Sequence, residues 1–109
     1  MAYDEALAER IRDLLAPREA LSERKMFGGV AWMLHGNMAC GVYGEELLVR
    51  LGAEGGEEAL AEPHTRRFDM TGRPMKSVIC VEPAGIESDE QLAGWVDAGA
   101  ECALSLPPK

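Results

Sequence analysis

The chain has 109 residues, 47% hydrophobic and 28% charged, with a formal net charge of −8. That length fits one domain, residues 1–109, whose core buries roughly two-thirds of the surface the unfolded chain exposes, so it folds without metal or disulfide. The composition excludes a disordered chain, no apolar run reaches the ~18 residues of a membrane helix, and the acidic balance disfavours a nucleic-acid module.

Residues 4–15 read as an amphipathic helix. Leu7, Ile11, Leu14 and Leu15 form one stripe of a 3.6-residue period, and Tyr3 extends it. Asp4, Glu5 and Glu9 stand where the helix dipole favours negative charge. Pro17 ends the helix, and residues 17–25 read as a polar linker. Three strands follow in a meander: 26–35, 38–43 and 46–51, separated by turns at Gly36-Asn37 and Gly44-Glu45. The first of them is apolar on both faces, with Val30, Trp32 and Leu34 on one and Phe27, Ala31 and Met33 on the other.

Residues 57–62 suit a short helix stopped by Pro63. Strands are predicted over 64–70 and 75–82, joined by the turn Thr71-Gly72-Arg73-Pro74. Ser88 and Gln91 have the spacing of a capping box. The helix they open buries Leu92, Trp95, Val96, Gly99, Cys102 and Ala103 and runs to about residue 104, before a frayed Pro107-Pro108-Lys109 tail. The order is α-β-β-β-α-β-β-α. It predicts a two-layer α+β sandwich with a mostly antiparallel five-stranded sheet, helices on one face and a core of about residues 4–104.

Cys40, Cys80 and Cys102 lack metal-ligand spacing, and neither His35 nor His64 forms a Cys/His pair with them in sequence, so no metal or cofactor site is read. Buried reduced thiols are the plain expectation for three cysteines set among apolar residues. Met1–Glu9 is acidic and lacks an export signal, which places the chain in the cytoplasm.

Two motifs stand apart from this background. Lys25-Met26-Phe27-Gly28-Gly29-Val30 is followed by Trp32, Gly36, Gly41 and Leu47-Leu48-Val49-Arg50; Phe68-Asp69-Met70-Thr71-Gly72-Arg73-Pro74-Met75-Lys76 follows about twenty residues later. The pattern resembles the N-terminal domain of the TfoX/Sxy competence-regulator family, from about residue 5 to 104. The resemblance implies an α-β-β-β-α-β-β-α fold similar to type III secretion chaperones. It also implies a stand-alone regulatory role, because two-domain members act in competence with a cyclic-AMP receptor protein at promoters, and this chain lacks their C-terminal domain. The family brings no catalytic residues. In the motifs themselves, Gly28-Gly29 reads as a bulge or a close backbone approach, and Gly72-Arg73-Pro74-Met75 as a turn.

Residues 64–76 carry Arg66, Arg67, Arg73 and Lys76 against Asp69 alone, and Arg50 joins them if its strand lies nearby. This is the candidate partner- or anion-binding patch, since arginine forks suit carboxylate and phosphate. Met26, Met33, Met38, Met70 and Met75 read as core filler, with a soft partner surface as the alternative. The expected activity is a non-catalytic regulatory or protein-interaction module. Its sheet face bearing Phe27, Ala31, Met33 and Leu48 would be covered by a protein partner or a second copy; direct nucleic-acid binding is not expected. The alternative is a small-ligand binder or thiol-dependent enzyme using Cys40 or Cys80 with the arginine-rich hairpin.

Overall fold

A computed structural model describes residues 3–26, 28–69 and 74–107. The elements are α1 (Glu5–Leu15), β1 (Leu21–Met26), β2 (Gly29–Leu34), β3 (Asn37–Tyr43), β4 (Glu46–Arg50), α2 (Gly52–Ala59), β5 (Thr65–Asp69), β6 (Pro74–Val81), a single 3₁₀ turn at Pro83–Gly85, and α3 (Asp89–Leu104). The six strands form one open antiparallel sheet in the order β1-β2-β3-β4-β6-β5. No helix among the described residues is long and apolar enough to cross a membrane.

The α+β class holds, but the sheet has six strands, not five. The added strand, β1, lies inside the segment expected to be a linker. Its sequence, LSERKM, has little apolar content, and it is held by its full backbone ladder to β2, from Leu21↔Leu34 to Met26↔Gly29. An edge strand needs only one partner, and charged side chains along it discourage pairing with other chains. The second helix also starts earlier than expected. It spans Gly52–Ala59 rather than 57–62, its glycine content outweighed by packing against β6.

Local chemistry sets the helix ends and turns. The Asp4 carboxylate accepts from the Leu7 amide at 3.1 Å and caps α1. Asp4 N–H donates to the Gly44 carbonyl at 2.8 Å, which moors the start of α1 on the β3–β4 turn. At α3, Ser88 and Gln91 form the reciprocal capping box expected from their spacing. The β2–β3 turn places His35 at φ 52° and Gly36 at φ 83°, the pair of left-handed residues whose twist matches that of the strands they join.

All three helices contribute to the layer on one face of the sheet. Leu7, Ala8, Ile11 and Leu15 of α1, Ala59 of α2, and Leu92, Val96, Ala100 and Ala103 of α3 share one buried cluster with Val30, Trp32, Leu34, Val42, Leu47, Val49, Ile79 and Val81. Where α3 crosses β3 it presents Gly99, and a Cβ there would lie 2.3 Å from the Ala39 carbonyl oxygen. α1 and α3 run parallel, tied by Arg10–Asp89 at 3.3 Å and Arg18–Asp97 at 3.4 Å. Three expectations for this layer need correction. Cys102, expected in the buried stripe of α3, is half-buried. Leu14 is 38% exposed, because the α1–α3 seam turns that edge of the stripe outward. Trp95 is only partly buried at the margin of the cluster. The deep indole is Trp32, which is fully buried.

Candidate functional site

Side chains on the second face follow from the register. A row crosses the whole sheet through directly paired residues: Arg24, Ala31, Gly41, Leu48, Cys80 and Arg66. Directly paired residues of a ladder point to the same face, so this row puts an arginine at each edge with small and apolar residues between them. Gly41 has no room for a side chain, since a Cβ would meet the Val30 carbonyl oxygen at 2.7 Å. Gly29 is tighter still, with the Val42 carbonyl oxygen 2.3 Å from where its Cβ would be. The Gly28-Gly29 pair therefore combines a left-handed residue (φ 77° at Gly28) with a close approach of two backbones.

The second face was expected to be an exposed apolar patch. Instead Ala31, Leu48, Val78, Cys80 and Phe68 are buried within the single chain. Strand alternation sets Phe68 on this face, two residues after Arg66, and the β5–β6 ladder shifts register between Arg67 and Phe68. Past it, Phe68 packs with Leu48, Val78 and Cys80, and Met38 joins from β3. The Phe68 and Tyr43 rings meet edge to face with centroids 5.9 Å apart, although β4 and β6 lie between their strands in the sheet. A register shift of this kind bends its strand, and the one in the β5–β6 ladder stands immediately before Phe68.

The predicted cationic patch is divided by the same geometry. Arg66 pairs with Cys80 in register and lies on the second face, where it forms an ion pair with Glu46. Arg67 pairs with Ile79, lies on the helical face, and forms an ion pair with Glu57 of α2. Arg50 stands opposite Val78 on the second face, with no ion-pair partner among the described residues. Phe27, Met70, Gly72 and Arg73 lie outside the described residues, as do the side chains of Met26, Pro74, Met75 and Lys76. Arg24 went unmarked in the sequence because its segment read as a linker; as a strand residue it shares the second face with Arg50 and Arg66.

The cysteines are set for packing. Burial pushes the Cys40 thiol up to about 12. Burial also pushes Cys80 up to about 12, with Glu46 adding to the push and Arg66 opposing it. Both are therefore protonated thiols near neutral pH, whereas nucleophilic cysteines need thiolate character. Among the described residues, no group of three His, Cys, Asp or Glu side chains converges as a metal site.

One further polar cluster joins the helical layer to the β1 edge. Arg12 of α1 grips the Glu23 carboxylate with two bonds of 2.9 Å, and the Trp32 indole N–H donates to the same carboxylate at 2.9 Å. Bonding to Arg12 holds the Glu23 carboxyl below its usual range, with Trp32 contributing. These groups bond to one another, so the cluster ties β1 to α1.

The family model described as TfoX N-terminal domain matches residues 13–103, nearly the whole chain. No curated protein and no solved structure matches it.

Proposed function

The chain belongs to the TfoX N-terminal domain family, and on that premise we propose that it is a small cytosolic, non-catalytic module of transcriptional or competence regulation that acts by binding another protein. The observation that carries this reading is the family match over residues 13–103. The state of the charged side chains supports it. Arg10, Arg12, Arg18, Arg66 and Arg67 are each engaged in an ion pair, and these pairs join elements of the fold. Cys40 and Cys80, the residues of the thiol-enzyme alternative, are buried and protonated. The charge of −8 supports protein rather than duplex nucleic acid as the partner.

The test is crosslinking of a tagged chain in its native cell, with identification of the bound protein and transcript profiles with and without the gene. A specific protein partner together with a defined set of altered transcripts is the expected result. A chain recovered free, with an unchanged transcript profile, would refute the module. Sub-micromolar binding of a random duplex with a steep salt dependence would move the function to nucleic acid.

A further inference from the structure

The charges of this molecule are segregated. The outward sides of α1 and α3 carry Glu5, Glu9, Asp13, Asp89, Glu90, Asp97 and Glu101, and the arginines beside them, Arg10, Arg12 and Arg18, are all in ion pairs. The second face of the sheet is different. At one end Glu46 holds Arg66, and Glu82 stands near it. Toward the other end, the strand residues that the register places on this face, Ser22, Met33, Met38, Arg50 and Val78, include no acidic one. There Met33 and Met38 are directly paired at the β2–β3 bulge, Ser22 is paired with Met33, and Arg24 and Arg50 stand to either side on β1 and β4. Arg24 is exposed, and Met33, Met38 and Arg50 are half-buried. Neither arginine has an ion-pair partner among the described residues.

We propose that this methionine pair, flanked by Arg24 and Arg50, is the docking surface for an acidic, partly apolar segment of a protein partner. Methionine is unbranched and polarisable, so two of them side by side accommodate apolar side chains of varied shape. The exposed Arg24 and the half-buried Arg50, about three strand spacings or on the order of 15 Å apart, give carboxylates a place to bind at each side. The rest of the protein repels the same partner. With −8 overall, an acidic segment approaching the helical layer meets unneutralised carboxylates, and the charge pattern therefore selects both partner and face. The surface is legible only in the fold, since Ser22, Arg24, Met33, Met38 and Arg50 come from four strands.

The proposal rests on the interaction-module reading and is tested apart from it. The probe is a short labelled peptide of the repeat Glu-Leu-Asp-Ser, compared with its charge-reversed twin Lys-Leu-Lys-Ser and with a random DNA duplex. Binding is followed by anisotropy and by the methyl NMR signals of the methionines. The acidic peptide should bind in a salt-dependent way, shift the Met33 and Met38 methyls, and bind at least about tenfold more weakly to Arg24→Glu/Arg50→Glu. Lys25→Glu, on the same edge strand but paired with Val30 of the helical face, should change the affinity less than about threefold. Unmoved Met33 and Met38 signals, equal binding by the double variant, or preference for the basic peptide or the duplex would each overturn the surface. In the cell, a partner crosslinked equally by wild type and double variant overturns the surface and leaves the module standing. A wild type that crosslinks no partner overturns both.

Discussion

Two glycines of α3, five residues apart, should respond to the same substitution with opposite signs. Gly94 faces open space, and a Cβ there meets nothing within 4 Å. Gly94→Ala therefore gains only the helix-propensity difference and should stabilise by about 0.8–1 kcal/mol. Gly99→Ala gains the same propensity, but its Cβ would lie 2.3 Å from the Ala39 carbonyl oxygen, 3.1 Å from its carbon and 3.3 Å from Val49 Cγ1. The nearest obstacle is backbone in the middle of a paired strand and cannot rotate away. The helix must lift by roughly 1 Å, which loosens Leu92, Val96, Ala100 and Ala103 from the sheet at once. Overpacking of this kind costs about 1–3 kcal/mol, and a backbone obstacle places Gly99→Ala in the upper part of that range; the propensity gain is common to both, so the net effect is destabilising and the two variants should differ by roughly 2–3 kcal/mol. Urea unfolding followed by far-UV circular dichroism reads the difference as a shift in midpoint at constant slope. A Gly99→Ala protein as stable as the wild type would mean that α3 does not rest on β3 at this point.

Three further outcomes follow from burial and charge. Trp32→Ala, which empties a fully buried site, should cost roughly 3–5 kcal/mol and clearly more than Trp95→Ala, whose ring lies at the margin of the core; equal losses in urea unfolding would contradict that placement. In native protein at mildly alkaline pH, Cys40 and Cys80 should react with a thiol reagent only upon unfolding, while half-buried Cys102 reacts first; rapid modification of Cys80 would reopen the thiol-enzyme alternative. Because Arg12 depresses the Glu23 carboxyl in the folded state, this group's contribution is present above its unfolded value, near pH 4.5, and is lost as pH falls through the lower folded value. Glu23→Gln should therefore weaken the protein at neutral pH and flatten its stability loss in that acidic window, and an unchanged pH profile would argue against the Arg12–Glu23 bond.

Periodicity and caps determined much of this fold from the sequence alone. The α1 stripe of Leu7, Ile11 and Leu15, the capping box of Ser88 and Gln91, and the meander punctuated at Gly36 and Gly44 are local features, written in residues a few positions apart, although the first turn is His35-Gly36 rather than the expected Gly36-Asn37. The two glycine- and arginine-bearing motifs were legible for the same reason, and they pointed to the family that the match over residues 13–103 shows. Tertiary structure decided what local pattern does not encode. β1 exists because β2 offers a ladder, which no periodicity in LSERKM announces. Trp32 rather than Trp95 is the deep indole because β2 runs under the helices while the Trp95 side of α3 reaches the edge of the core. Packing of Phe68 with Leu48, Val78 and Cys80 turned an expected exposed patch into a second small cluster. Strand alternation, finally, split Arg66 from Arg67, which are adjacent in sequence, and put Arg66 on one face with Arg24 and Arg50; side chains in a sheet are grouped by face and register, and register is set by pairing between distant segments.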